Sequence, residues 1–497
     1  MDLDAYRRSA EEFLIELTGE YYRHYAGLQD KYEIEPIYAR HAGLFTAGAV
    51  GSLRELAAVA EPAGEERRRL TMLVDFAVEG YIGEQTKTVE SELARREAAL
   101  SFQADGRTVG YRESNAVQAN EPDAERRARI EQARLEAAER ELRPLYVELI
   151  ERQHAAAREL GWRSYLEMCS ECKGVDYHAL AEQTTRFSAA TEDGYRAALE
   201  PQLECALGLG LDRLRRSDLP RFFRAPNQDA YFPAERLLPS FVETMSGLGV
   251  DVAHQAGVVL DVDPRPKKSP RAFCAPVRTP GEVYLTLTPV GGREDFGVLM
   301  HEGGHAEHAA HVDAELPFEF RYLGDNAITE CFAFLLQHLI EDPEWLRVRL
   351  GIAGADADAL IAHARAQRLV YLRRYAAKLA YELELHSAGG RPWPELAARY
   401  SKLLGEAVHV GWPAETFLSD VDPGFYCACY VRAWALETSL RRHLRERHGA
   451  RWFESPRAGE ELKALWREGQ RLTPEELLGQ LSGARLEFDS VLGDLRL

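Results

Sequence analysis

Two histidines, His301 and His305, stand four residues apart, with Glu302 directly after the first. On a helix that spacing separates them by ~40° about the axis, so both imidazoles face one side. Neutral imidazole is a common zinc ligand, and a glutamate between the pair can act on water at the metal. Met300-His301-Glu302-Gly303-Gly304-His305 therefore carries the His-Glu-x-x-His pattern of zinc peptidases, with one zinc ion per chain expected.

A catalytic zinc site usually has three protein ligands and one open position. The third is sought among neighbouring carboxylates. Gly324-Asp325-Asn326 is a helix-start signal, and Ile328 to Leu336 is too apolar for a surface helix. Glu330 lies inside that stretch, where a carboxylate is costly to bury without a positive partner, and zinc would be that partner. The alternative is a glutamate favoured by the positive end of the helix dipole. Gly303 and Gly304 each cost ~1 kcal/mol against alanine in a helix interior. They predict a second helix packed closely on the motif. His308 and His311 continue the motif helix as spare ligands or, as preferred here, on a polar face.

The positioning elements are mostly helical. Apolar residues recur at three and four spacings from Leu3 to about Arg95, with Pro36, Gly51-Ser52 and Pro62-Ala63-Gly64 as expected breaks. Asp105-Gly106 between short alternating runs predicts a small hairpin over 101–112. Pro122 to Leu160 reads as one long helical stretch ended by Gly161-Trp162, and Tyr165, Leu166 and Met168 begin a short helix. Cys169 and Cys172 are expected to be partly buried thiols on its face, since no second pair follows at metal spacing. Residues 177–260 continue helical, with a break at Arg221 to Pro233. Two strands are then expected, Arg271–Val277 and Glu282–Leu287, joined through Thr279-Pro280-Gly281. Glu294-Asp295 are the cap candidates of the motif helix. No repeat or linker is evident. The division expected is a helical lobe over 1–180 and a catalytic helical lobe over 181–497, forming one integrated unit.

Composition narrows the partners. The chain has 497 residues, 45% of them hydrophobic, enough for a large core. Its formal charge of −19 makes nucleic acid and anionic membrane poor partners. Seven cysteines, an odd and small number, argue for reduced thiols and a cytoplasmic location. The acidic start MDLDAYRRSAEEF is not expected to act as a signal peptide, and no run of ~18 apolar residues is present, so no membrane span is expected.

These residues resemble the thimet oligopeptidase and oligopeptidase F family of zinc metallopeptidases. His301, Glu302, Gly304 and His305 stand in that family's His-Glu-x-Gly-His positions, and Glu330 follows His305 by its 25-residue spacing. Lys268 to Cys274 is similar to the family's strand before the metal helix. Ala380 to Leu385 and Leu160-Gly161-Trp162 also look familiar, and the likeness covers about residues 100–450, strongest over 268–335. It implies a two-lobed helical body with a deep substrate channel, a small sheet beside the metal helix, and short unfolded peptides as substrates. Glu302 would be the general base, and Ala272, Phe273 and Cys274 would pair with substrate backbone by edge addition. One departure concerns the oxyanion. Aligning Trp434 keeps Tyr430 on a family tyrosine but puts Arg432 where the oxyanion tyrosine is expected. Tyr426, Tyr430 or Arg432 is left to supply the donor.

Three other readings compete: a helical metallocarboxypeptidase, a di-iron carboxylate protein built on Glu151-x-x-His154 and Glu302-x-x-His305, and an inactive peptide-binding relative.

Overall fold

A computed structural model describes residues 1–495. The fold is mostly α, 71% helical with two small sheets. Among the described residues no helix is long and apolar enough to cross a membrane.

Strands β1 (Ser101–Ala104) and β2 (Arg107–Gly110) form the expected hairpin. Asp105 and Gly106 make its turn with φ of 51° and 73°, the positive values that Asp-Gly hairpins require. The second sheet holds β3 (Val258–Asp261), β4 (Phe273–Arg278) and β5 (Glu282–Thr286) in the order β3-β5-β4. β5 pairs parallel with β3 and antiparallel with β4. The helical reading up to residue 260 is corrected here. β3 is four residues long and is held by a parallel partner more than twenty residues downstream, a pairing that local periodicity does not record.

Other local expectations divide in the same way. Pro36 opens the helix Glu35–Arg40, and 62–64 separates two helices. Gly51-Ser52 does not break the chain. It lies inside the helix Ala47–Val59, where a Thr46 cap and the burial of Val50 and Leu53 outweigh glycine's ~1 kcal/mol. The stretch from Pro122 is two helices, Ala124–Glu141 and Arg143–Glu159, because Pro144 cannot continue a helix and starts a new one. Cys169 and Cys172 are buried on the helix Tyr165–Lys173, as thiols in a core.

The chain folds as two compact units, and the division expected at residue 180 is corrected. The first unit comprises Met1–Ala77, Gln228–Ile361 and Arg432–Val491; the second comprises Val78–Asn227, Ala362–Val431 and the residues from Leu492. Boundaries fall inside the helices Glu65–Ala99, Ala355–His386 and Tyr426–His448. A boundary inside a helix leaves no linker composition, so it is invisible along the sequence. The core of the first unit gathers Phe296, Leu299 and Met300 of the motif helix against Phe332, Leu335 and Leu336. The second unit has a core of its own beneath the hairpin, around Phe102, Val109 and Ile130.

Candidate metal centre

The motif helix runs from Arg293 to His311 with Gly292 at its N-cap. Glu294 and Asp295 are therefore not caps but first-turn residues. The Asp295 carboxylate reaches back to accept from the N–H groups of Val290 and Gly291, each at 2.9 Å, and pins the turn that aims the helix. His301 and His305 stand one turn apart with ring centroids separated by 4.8 Å and planes at 86°.

A second helix, Asn326–Gln337, faces them. Asp325 caps it by accepting from Ala327 N–H at 2.9 Å. Its Glu330 is buried, and one carboxylate oxygen lies 3.4 Å from His301 Nε2 and 3.8 Å from His305 Nε2. The two helices meet at Gly304, as predicted, while Gly303 faces Phe241 of a third helix, Ala234–Gly247. A Cβ on Gly304 would come within 2.6 Å of Ala333 Cα and of the Phe332 carbonyl, and one on Gly303 within 2.3 Å of the Phe241 ring. Since those contacts at 304 are backbone, they cannot yield by a rotamer change. Gly304→Ala is expected to lose ~1–3 kcal/mol of stability and several degrees of melting temperature. Calorimetry showing an unchanged melting temperature would remove the close approach as the reason for glycine.

The donor set suits zinc. One oxygen or nitrogen from each of His301, His305 and Glu330 lies within 4.8 Å of the other two. Each imidazole is also oriented from behind, His301 Nδ1 donating to Gln337 Oε1 at 2.9 Å and His305 Nδ1 meeting Thr329 Oγ1 at 2.8 Å. That leaves both Nε2 atoms directed at Glu330, the arrangement metal-binding histidines use. Burial pushes His305 down to about 3, which keeps its lone pair available. Burial also works against a charge on His301, but the Glu330 carboxylate prevails and raises it. Sequence reasoning missed Gln337 and Thr329. A signal existed for Gln337, the polar residue two turns after Glu330 on an otherwise apolar helix face.

Glu302 is tied to β4. Its Oε2 accepts the Cys274 N–H at 2.9 Å, and burial raises its pKa above the ordinary carboxylate value. β4 is an edge strand, paired on one side by β5. In an antiparallel pair a residue's N–H and C=O point to the same side, alternating along the strand. The backbone N–H and C=O of Cys274 therefore point away from β5, and so do the C=O of Pro276, which suits an edge because it has no N–H, and the backbone groups of Ala272 just before the strand. Phe273 instead packs on the N-terminal helix Leu3–Tyr25, its ring 5.4 Å from Tyr21. Tyr21 stands on that helix beside β4. Its hydroxyl is kept protonated by burial first, with the charge of Glu302 adding to the effect.

Arg432 is placed differently from a free oxyanion donor. Its buried guanidinium pairs with Asp325, the cap of the Glu330 helix, and with Glu475 at 2.7 Å. It braces the helix that presents Glu330. Tyr426 and Tyr430 meet edge-on at 5.0 Å, and Tyr430 meets Tyr375 at 5.7 Å. Those three tyrosines belong to the second unit, whereas His301, Glu302, His305, Glu330 and Arg432 belong to the first. His308 is corrected: it is buried against Phe332 and bonds the Gly469 carbonyl at 3.2 Å, off any polar face. His311 is half-buried beside Trp466.

One other group of metal-ligating types gathers among the described residues, Glu382, Asp422 and Cys427. Lys378 already supplies its cation, 2.7 Å from Asp422. The Cys427 thiol donates to Glu382 at 3.1 Å, and burial raises Glu382 to about 8. Neither group contains Glu151 or His154, so the two Glu-x-x-His motifs do not join in one centre.

The buried titrating groups set a pH optimum for stability. His154 and His308 are lowered to about 4 by burial, and His386 lies well below its usual value. The unfolded chain binds protons at these sites that the folded chain refuses, so their contribution is present above ~6.5 and is lost as pH falls toward 4. Glu382, raised to about 8, and Glu307, raised to about 7, have the opposite sign and lose stability as pH climbs. The melting temperature should peak near pH 6.5, each group contributing ~1.4 kcal/mol per pH unit within its window. Glu382→Gln should flatten the alkaline limb. A melting temperature still rising beyond pH 8 would contradict the assignment.

Neither a scan of protein-family models nor a search of curated proteins returns a match for this chain.

Proposed function

We propose that the chain is a zinc-dependent oligopeptidase that hydrolyses internal bonds of short unfolded peptides. The observation that carries this reading is the convergence of His301, His305 and Glu330, with Glu302 held between them and an edge strand. A bound zinc ion would supply Lewis acidity, polarising the scissile carbonyl and acidifying a water.

The chain's own groups supply the rest. Glu302, tied at Oε2 by the Cys274 N–H, takes the attacking water's proton at its other oxygen and delivers it to the leaving nitrogen. Its raised pKa brings it closer to neutrality, where one carboxyl serves as base and then as acid. The outward N–H and C=O of Ala272 and the C=O of Cys274 bind a peptide backbone alongside β4, with little demand on its sequence. Phe273, turned inward, holds that strand against the N-terminal helix. For the oxyanion, the resemblance leaves Tyr430 and Tyr426. Tyr21, packed beside β4 with its hydroxyl protonated, is a third donor. Arg432 is set aside because two carboxylates occupy its guanidinium.

Zinc content combined with cleavage-site mapping on a mixed peptide library, with and without a chelator, tests the proposal. Internal fragments that vanish with chelation support it. A ladder of single-residue losses favours the carboxypeptidase, and zinc without cleavage favours the peptide-binding relative.

A further inference from the structure

The second unit contains a cavity of about 230 Å³ beside the end of the helix Ala355–His386, and none of the metal ligands belongs to that unit. Glu151, His154 and Arg158 line it from one face of the helix Arg143–Glu159, at spacings of three and four. Arg391, Trp393 and Leu396 line it from the following segment and the first turn of the helix Trp393–Val408.

The polar groups of this lining are oriented but not consumed. His154 Nε2 lies 2.9 Å from His386 Nδ1, which fixes the ring, and burial keeps the imidazole neutral. Among the described residues Glu151 and Arg158 make no side-chain hydrogen bond or ion pair, and Arg391 has only a loose 3.7 Å approach to Glu384. Two arginines and one glutamate thus share the lining, on a chain whose overall charge of −19 repels anions. The walls between them are the Trp393 ring and Leu396. Drug-sized ligands occupy ~300–1,000 Å³, so this volume suits something smaller.

We propose that the cavity binds a small zwitterion with an apolar side chain, a free apolar amino acid or a dipeptide, the class of compound that peptide hydrolysis releases. Its carboxylate is taken by Arg158 and Arg391, its ammonium by Glu151, and its side chain by Trp393 and Leu396. Arg158 and Glu151 lie seven residues apart on the helix, ~10 Å along its axis, a span that long side chains and a dipeptide bridge readily.

The inference rests on the lining, and its test reads binding alone, so a negative result leaves the proposed hydrolysis untouched. L-leucine and glycyl-leucine are titrated calorimetrically into the full chain carrying Glu302→Gln, which prevents turnover. Leucinamide and N-acetylleucine serve as probes lacking one charge. A saturable heat with either zwitterion is expected, with at least ~10-fold weaker binding for both single-charge probes and for Arg158→Ala, the loss of one charge-assisted bond. Tighter binding of leucine identifies the amino acid as the ligand, and tighter binding of glycyl-leucine identifies the dipeptide. Absence of saturable heat with both zwitterions, equal binding of the single-charge probes, or unchanged binding by Arg158→Ala would overturn the assignment. Arg158 is exposed, so its removal leaves the fold intact, and circular dichroism verifies this.

Discussion

Replacing Glu302 with glutamine should abolish the proposed peptide hydrolysis and leave one zinc ion per chain in place. Glutamine keeps a carbonyl oxygen able to accept the Cys274 N–H, so the edge strand and the motif helix retain their register. It cannot take up a proton. The substitution therefore removes proton transfer and little else, which costs ~10²–10⁴-fold in rate for a positioned acid–base group. In the proposed mechanism one carboxyl serves both attack and departure, so the upper end is expected. Steady-state hydrolysis and metal analysis on the same preparation give the answer. Wild-type turnover by Glu302→Gln would end the proposed mechanism, and loss of zinc would show that Glu302 supports the metal instead.

The second large effect concerns Glu330. Glu330→Ala should release the zinc, and Glu330→Gln, which preserves the packing of the buried side chain, should weaken it severely. Changes to groups that only orient metal ligands cost ~10–100-fold in affinity. Removing a ligand should cost more, and the two remaining imidazoles hold the ion poorly. Competition with a chelator of known affinity measures the loss. Full occupancy in both variants would exclude Glu330 as a ligand and return it to the alternative of a glutamate stabilised by its helix dipole. Glu330→Gln also guards against a fold defect, because a properly melting protein without zinc separates ligation from stability.

The site was legible in the sequence where its chemistry follows from spacing along one helix. His301, Glu302 and His305 lie within five residues, and helical geometry alone puts the histidines on one face. Glu330 was legible for a different reason: a carboxylate in Ile328–Leu336 has no cheap way to be buried alone. The tight glycines pointed to a close neighbour without naming it, and Ala333 and Phe241 proved to be the neighbours. Gln337, Thr329 and Tyr21 stayed hidden because each acts across a packing interface on a residue distant in the chain. Arg432 stayed open as a donor for the same cause. A cation aligned with an oxyanion donor looks available until Asp325 and Glu475 close on it.

Secondary structure separates along the same line. The hairpin at Asp105-Gly106, the strands at β4 and β5, and the helices with strong caps are short-range outcomes of φ preference, alternation and capping, and one sequence carries them. β3, the edge position of β4 and the division into two units depend on partners far along the chain. So do the commitment of Arg432 and the cavity at Glu151 and Arg158. No local propensity encodes those pairings, because burial and ion pairing are settled only when distant segments are brought into contact.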